Sequence, residues 1–180
     1  MSTDQQIIEQ TKKWIQSVVI GLNFCPFANR EFKNNTIHYQ VEHGVTRTDA
    51  RNALLKECKR LDKEKSIATT LLIFPGYFTE FDSYLQFVSF AEKLLQQKGY
   101  EGVYQLATFH PQYKFEDSAT DDAANYTNRS IYPMLHLLRE DQVRKAIQFY
   151  GNADEIPLKN IQLAREKGTI YMKLLRDSCL

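Results

Sequence analysis

Thr108–Glu140 reads TFHPQYKFEDSATDDAANYTNRSIYPMLHLLRE, and the fold turns on how this stretch divides. It starts where an apolar run ends. It then has about twenty residues with neither a helical nor a strand period, a length that in a compact domain marks a functional loop or disorder. Disordered segments are poor in aromatics, whereas Phe109, Tyr113, Phe115, Tyr126 and Tyr132 are set here among Asn125, Thr127, Asn128 and Arg129. The stretch therefore reads as an ordered loop that lines a site. Its far end, SIYPMLHLLRE, reads as a helix capped by Ser130 or Tyr132, with Pro133 tolerated in the first turn. Asp141 would then cap a separate helix whose stripe Val143, Ala146, Ile147 and Tyr150 is ended by Gly151.

Upstream, Thr3-Asp4-Gln5-Gln6 fits a capping box, and Ile7, Ile8, Trp14, Ile15, Val18, Val19 and Leu22 follow at helical spacing. Pro26 marks the end of that helix, because the residue before a proline is pushed out of the helical region. Ala28–Asn35 reads as a polar loop, and Thr36–Val41 (TIHYQV) alternates as a strand does. A second helix starts near Thr48-Asp49 with Ala50, Leu54, Cys58 and Leu61 on its core face; the charges from Lys56 to Lys65 form its solvated side. Ile67–Phe74 (IATTLLIF) is a continuous β-rich run of the kind buried on both faces. Phe81–Gln97 is a third helix stopped by Gly99, and Gly102–Phe109 a third strand. Beyond the long stretch, Pro157 opens a helix that Gly168 stops. The tail 169–180 fits either helix or strand and is a candidate for packing on a partner chain.

Strands alternating with helices predict an α/β fold: a small three- to four-stranded sheet with βαβ crossovers, an N-terminal helix and a C-terminal helical segment. A fourth strand is expected in the tail or in Gln112–Phe115. The length of 180 residues suits one domain spanning 1–180 that buries its core without disulfides or metals. Lys and Arg number 23 against 22 Asp and Glu, a net charge of +1 that argues against broad nucleic-acid binding. Three cysteines without a CxxC pair point away from a disulfide framework or zinc finger and toward a reducing, cytoplasmic location. Lys12-Lys13 followed by WIQSVVIGLNFC imitates a signal segment, but Gln16 and Ser17 interrupt its apolar core, and Asn23 and Phe24 are too large for a cleavage site. No apolar run reaches the roughly eighteen residues of a membrane span.

Several side chains could carry chemistry. The long loop leaves the end of a strand, where α/β sheets gather ligands. Arg129 would stand at the N-terminus of the helix beginning near Ser130, where free N–H groups and a guanidinium together favour an anion. Its competing role is to staple the loop by pairing with Asp121, Asp122 or Glu140. His110 and His136 titrate near neutrality and are candidate acid–base groups, although a lone histidine is more often a hydrogen-bonded structural residue. Cys25, if Pro26 opens a helical turn, would occupy an N-cap where a thiol's pKa is depressed; otherwise it is a small hydrophobe between Phe24 and Phe27. His38 and His43 match no zinc spacing, and Glu116, Asp117, Asp121 and Asp122 match no calcium loop. No P-loop, dinucleotide or hydrolase-elbow motif is present, so no cofactor is expected.

Three stretches together, Gly21–Ala28 (GLNFCPFA), Phe109–Phe115 (FHPQYKF) and Ala124–Glu140 (ANYTNRSIYPMLHLLRE), resemble a bacterial family known only as domain of unknown function 1415. The likeness runs from about Lys13 to Gly168, with Phe24 and Ile131 standing where leucine and proline are expected. It implies an intact cytoplasmic bacterial domain and assigns no reaction. Carried residue by residue, it singles out Asn23, Cys25, His110, Asn125, Asn128, Arg129 and His136. The functional expectation is a polar, aromatic-lined pocket for a small anionic metabolite. Asn23, Asn125, Tyr126, Asn128, Arg129 and Ser130 would bind it, and Cys25, His110 and His136 would supply any catalysis. The competing expectation is a non-catalytic interaction or assembly module, homo-oligomeric or with another protein, that docks through the aromatic loop 108–132.

Overall fold

Residues 2–150 and 155–180 are described by a computed structural model. Gly151, expected to end a helix, lies outside the described residues. In chain order the elements are α1 (Asp4–Trp14), a π-helical continuation (Ile15–Ile20), α2 (Ala28–Lys33), β1 (Ile37–Val41), α3 (Arg47–Lys63), β2 (Thr69–Ile73), α4 (Phe81–Gln97), β3 (Tyr104–Phe109), a 3-10 turn (Ala123–Thr127), β4 (Met134–Arg139), α5 (Glu140–Tyr150), α6 (Ile156–Lys167) and α7 (Thr169–Asp177).

Two helix starts follow from capping chemistry. Gln6 N donates to Thr3 Oγ1 at 3.3 Å while Thr3 N donates to Gln6 Oε1 at 2.9 Å, which closes the expected box. In α3 the cap is Thr46, two residues earlier than expected: Asp49 N donates to Thr46 Oγ1 and Thr46 N to Asp49 Oδ2, both at 3.1 Å. Ala28–Lys33, expected to be loop, is a short helix.

The sheet order is β1-β2-β4-β3. β1 and β2 are parallel, and β4 runs antiparallel to both β2 and β3. The chain thus makes two crossovers in the same direction, β1-α3-β2 and β2-α4-β3, and β4 later fills the gap left between β2 and β3. Both crossover helices consequently lie on one face, as a constant crossover hand requires. Their core joins Leu54, Leu61, Phe87, Leu94 and Leu95 to Leu72, Leu135 and Leu137 of the sheet. The opposite face meets α1, the π-helical segment, the 3-10 turn, α6 and α7 through Ile7, Trp14, Val18, Leu71, Ile73, Met134, Ala164 and Met172.

The fourth strand is therefore Met134–Arg139, where a helix was expected, and neither the tail nor Gln112–Phe115 supplies it. The error has a physical source. With Met134, Leu135 and Leu137 fully buried across both faces, the two-residue alternation that marks a half-exposed strand disappears, and a short apolar run no longer distinguishes strand from helix. Pro133 sits just outside the ladder, contributing only its carbonyl, which accepts from Phe74 N at 2.9 Å. Arg139 closes the other end. It donates to Leu61 O at 2.6 Å, Glu64 O at 3.3 Å and Ile67 O at 3.0 Å, so the last residue of β4 holds carbonyls at and just beyond the C-terminus of α3.

Candidate functional site

The end of β3 sets the geometry of the long loop. Tyr84 of α4 donates to Met134 O at 2.6 Å and accepts from Phe109 N at 3.2 Å, placing its hydroxyl in the ladder where β3 and β4 part. His110 follows and is fully buried. Its Nδ1 accepts from Gln112 N at 3.0 Å, so the proton sits on Nε2, which donates to Phe78 O at 2.7 Å. Phe81 and Tyr84 flank the ring, each with its centroid 5.1 Å away. Burial pushes the His110 pKa down. Both nitrogens are engaged by backbone groups, and the imidazole ties the loop before α4 to the end of β3.

The loop closes on itself through its own polar side chains. Asn125, fully buried, accepts from Phe115 N at 3.0 Å and Ser118 Oγ at 2.7 Å and donates to Ala119 O at 2.9 Å. Asn128 donates to Thr108 O at 3.1 Å, and its backbone carbonyl accepts from His110 N at 3.2 Å. Ser130 donates to Tyr132 O at 2.5 Å.

Arg129 differs from expectation in its setting, because no helix begins at Ser130. Its Nε donates to Tyr113 O at 2.9 Å and its Nη2 to Thr120 O at 2.7 Å, and the guanidinium lies 4.7 Å from the centroid of Tyr126. It staples the loop through backbone carbonyls rather than through Asp121, Asp122 or Glu140. Asp122 instead accepts from Arg165 of α6 at 3.1 and 2.7 Å, and this pairing together with the Ala124 N–H pulls its pKa down. Arg176 of α7 donates to Pro111 O at 3.1 Å and faces Tyr126 from 5.6 Å. The back of the loop is thus fastened to α6 and α7.

Asn23 is exposed and takes the left-handed conformation at φ 53°, a role that asparagine tolerates better than most residues. Cys25 is half-buried, two residues ahead of Phe27, which precedes the first residue of α2. Burial raises the thiol pKa, outweighing the lowering effect of the Phe27 and Ala28 N–H groups. This is the reverse of the depressed value expected for an N-cap thiol.

His136 lies on the sheet face opposite α3 and α4, beside Leu71 of β2 and Ala107 of β3. Thr69 Oγ1 donates its proton to Leu137 O at 2.5 Å, so the 2.6 Å contact between Thr69 Oγ1 and His136 is an Nε2–H donation from the ring. Burial holds the imidazole neutral, with its pKa lowered to about 4. Thr69 was not singled out by the sequence, where a threonine in a strand looks like ordinary β-propensity.

None of the hydrogen bonds or ring contacts of Cys25, His110 and His136 reaches another of the three. Two surface hollows lie elsewhere. One of ≈ 460 Å³ runs along α3 between Asn52 and Glu64, and one of ≈ 370 Å³ is bordered by Asp62, Tyr104 and Arg139; neither includes a residue of the long loop. Among the described residues no group of three or more His, Cys, Asp and Glu could hold a metal ion. No helix there is long and apolar enough to cross a membrane.

No curated protein and no solved structure matches this chain. A family model described as a protein of unknown function (DUF1415) matches residues 6–173, a span that contains the sheet, the closed loop, all of α6 and most of α7. On that match the chain belongs to the DUF1415 family.

Proposed function

We propose that this chain is a protein-interaction module that assembles through its C-terminal helices, with a second copy of itself as the partner. The observation that carries the reading is the two-sided apolar character of α7. Met172 turns inward at 1% exposure, while Ile170, Tyr171 and Leu174 stand outward at 79%, 46% and 63%. Three exposed apolar side chains on one short helix exceed the scattered single ones of an ordinary surface. Next in support is α5, whose Ile147 and Phe149 are also exposed. Charges on the C-terminal helices are already matched, with Lys173 bonded to Asp177 at 2.7 Å on α7 and Lys159 to Glu155 at 2.7 Å at the start of α6. Paired charges around an apolar patch make a rim suited to another protein surface.

The competing reading, a small anionic metabolite held at Arg129 and processed by Cys25 or a histidine, draws less support. Two donors of Arg129 go to carbonyls, the thiol is shifted away from its reactive form, and the three candidate catalytic groups do not meet. The aromatic loop is also a poor docking surface, because Tyr126 is buried and Tyr113 packs against Phe81 at 5.3 Å. The interaction surface proposed here is therefore moved from residues 108–132 to α5 and α7.

Light scattering on the eluted protein tests the reading. A dimer at micromolar concentration is expected for the wild type, and a monomer with unchanged circular dichroism for Ile170→Asp combined with Leu174→Asp. A wild type that stays monomeric across the concentration range rejects self-assembly.

A further inference from the structure

The hollow of ≈ 370 Å³ beside Asp62, Tyr104 and Arg139 is lined by charges of both signs. Arg139 and Lys65 supply two cations, Asp62 and Asp141 two carboxylates. Arg139 is 8% exposed, and its Nε and Nη2 are spent on the carbonyls of Leu61, Glu64 and Ile67. Its Nη1 donates to no protein group and is not sealed in the interior. That nitrogen is therefore open to solvent, and this hollow is where Arg139 borders open space.

The opposite charge is held just as firmly. Each oxygen of Asp62 accepts a phenolic hydrogen, one from Tyr100 and one from Tyr104, both at 2.8 Å. Burial and that carboxylate push the phenol pKa values up, Tyr100's to about 12, so both hydroxyls donate at neutral pH. The Tyr104 ring also lies 5.9 Å from the Arg139 guanidinium, which ties the two charges to one side chain. α5 begins at the rim of the same hollow, through Asp141 and Gln142. The first N–H groups of a helix have no partner within it. That of Glu140 is taken by Val103 O at 3.0 Å, and among the described residues no side chain accepts from those of Asp141 and Gln142. Exposed Val103 supplies an apolar wall.

Such a lining selects by charge pattern. A plain anion meets two carboxylates beside its two cations, and a plain cation meets the reverse, so the surrounding charges largely cancel for either. A zwitterion uses both signs. Its carboxylate suits Arg139 Nη1 and the free N–H groups of α5. Its ammonium suits Asp62, whose oxygens each keep a lone pair after accepting one phenol. The volume lies at the small end of ligand sites, which run from about 300 to 1,000 Å³. We propose that this hollow binds a free α-amino acid with a small apolar side chain, its carboxylate toward Arg139 and α5 and its ammonium toward Asp62. The site lies at the opposite end of α5 from Phe149 and does not rest on the assembly reading.

L-Valine titrated into the full chain at pH 7 is the probe, followed by nitrogen–proton NMR. It should move the backbone amides of Asp141 and Gln142 and the Arg139 guanidinium saturably, with a Kd on the order of 0.1 mM. N-Acetyl-L-valine lacks the ammonium and L-valinamide lacks the carboxylate. Each should bind at least about tenfold more weakly, the loss expected from one unmade charged contact. Asp62→Asn should weaken valine by a similar factor and leave the weak binding of N-acetyl-L-valine unchanged. Should that variant fail to fold, the three compounds compared on the wild type decide. Equal binding of all three, no shift at these groups in a valine titration carried well past that Kd, or an unaltered valine Kd in a folded Asp62→Asn would each overturn the proposal.

Discussion

The long loop and the C-terminal helices divide their chemistry in opposite ways. Between His110 and Ser130 the polar side chains turn inward and bond to the loop's own backbone, as Asn125, Asn128 and Arg129 do. In α5 and α7 the apolar side chains turn outward, as Phe149 at 95% exposure and Ile170 at 79% do. The contrast teaches that residue type alone is a poor guide to surface. A loop without a ladder must satisfy its buried N–H and C=O groups somehow. Asparagine and arginine in such a loop are more economically explained as partners for that backbone than as ligand-binding groups. Helices satisfy their own backbone, so their side chains remain available for a partner.

The largest expected effect comes from opening the loop. Arg129→Ala should lower stability by about 3 kcal/mol in urea unfolding, since it removes two charge-assisted bonds and strands two carbonyls. Arg129→Lys should recover little, because an ammonium cannot reproduce the fork. A loss below about 0.5 kcal/mol would instead free Arg129 for a ligand and reverse the contrast.

Acid should act next. The folded-state pKa of His136 lies below the ordinary value, so the folded state binds fewer protons than the unfolded one. The associated stability is complete above the unfolded pKa near 6.5 and is lost as pH falls from there toward about 4. The loss should reach about 2–3 kcal/mol, and His110 adds to it in the same direction through its own lowered pKa. Guanidinium melts at pH 7, 5.5 and 4 should show this slope, reduced in His136→Gln. An identical slope in the variant would locate the acid sensitivity elsewhere.

On the helical side the changes in stability should be small. Ile170→Asp with Leu174→Asp should alter the monomer's stability by no more than about 0.5 kcal/mol, as for exposed sites generally, whereas Met172→Asp should unfold α7. Smallest is Cys25. Its iodoacetamide reaction should be slower than that of a free peptide thiol at pH 8 and still accelerating at pH 9, because burial raises its pKa. A rate that levels off below the ordinary thiol pKa would restore the nucleophile.

Much of the fold is written locally. Thr3 and Gln6 announce α1, the run from Thr69 to Ile73 announces a doubly covered strand, and Phe81–Gln97 shows its helical period plainly. These features depend on neighbours in sequence. Met134–Arg139 is strand because β2 and β3 stand on either side of it, and no residue within it encodes that gap. The candidate site was legible in identity and illegible in role. Asn125, Arg129 and His110 stood out as unusual, yet whether each faced a ligand or a carbonyl depended on Phe115, Tyr113 and Phe78 being brought alongside. Thr69 gave no signal, since a strand threonine is ordinary until its partner is counted.

The insertion of β4 has a consequence for how this chain comes into being. One of its two inner strands, β4, is the last of the four to leave the ribosome, and β2 and β3 cannot pair through it until Arg139 is synthesised. Until then both strands present open edges, and Arg139 is not yet there to hold the end of α3. Such pairings close slowly and leave edges exposed to other chains in the interval. A nascent chain stopped at Ser130 should therefore be sticky and protease-sensitive, and order should arrive in one late step as the sheet zips from its middle.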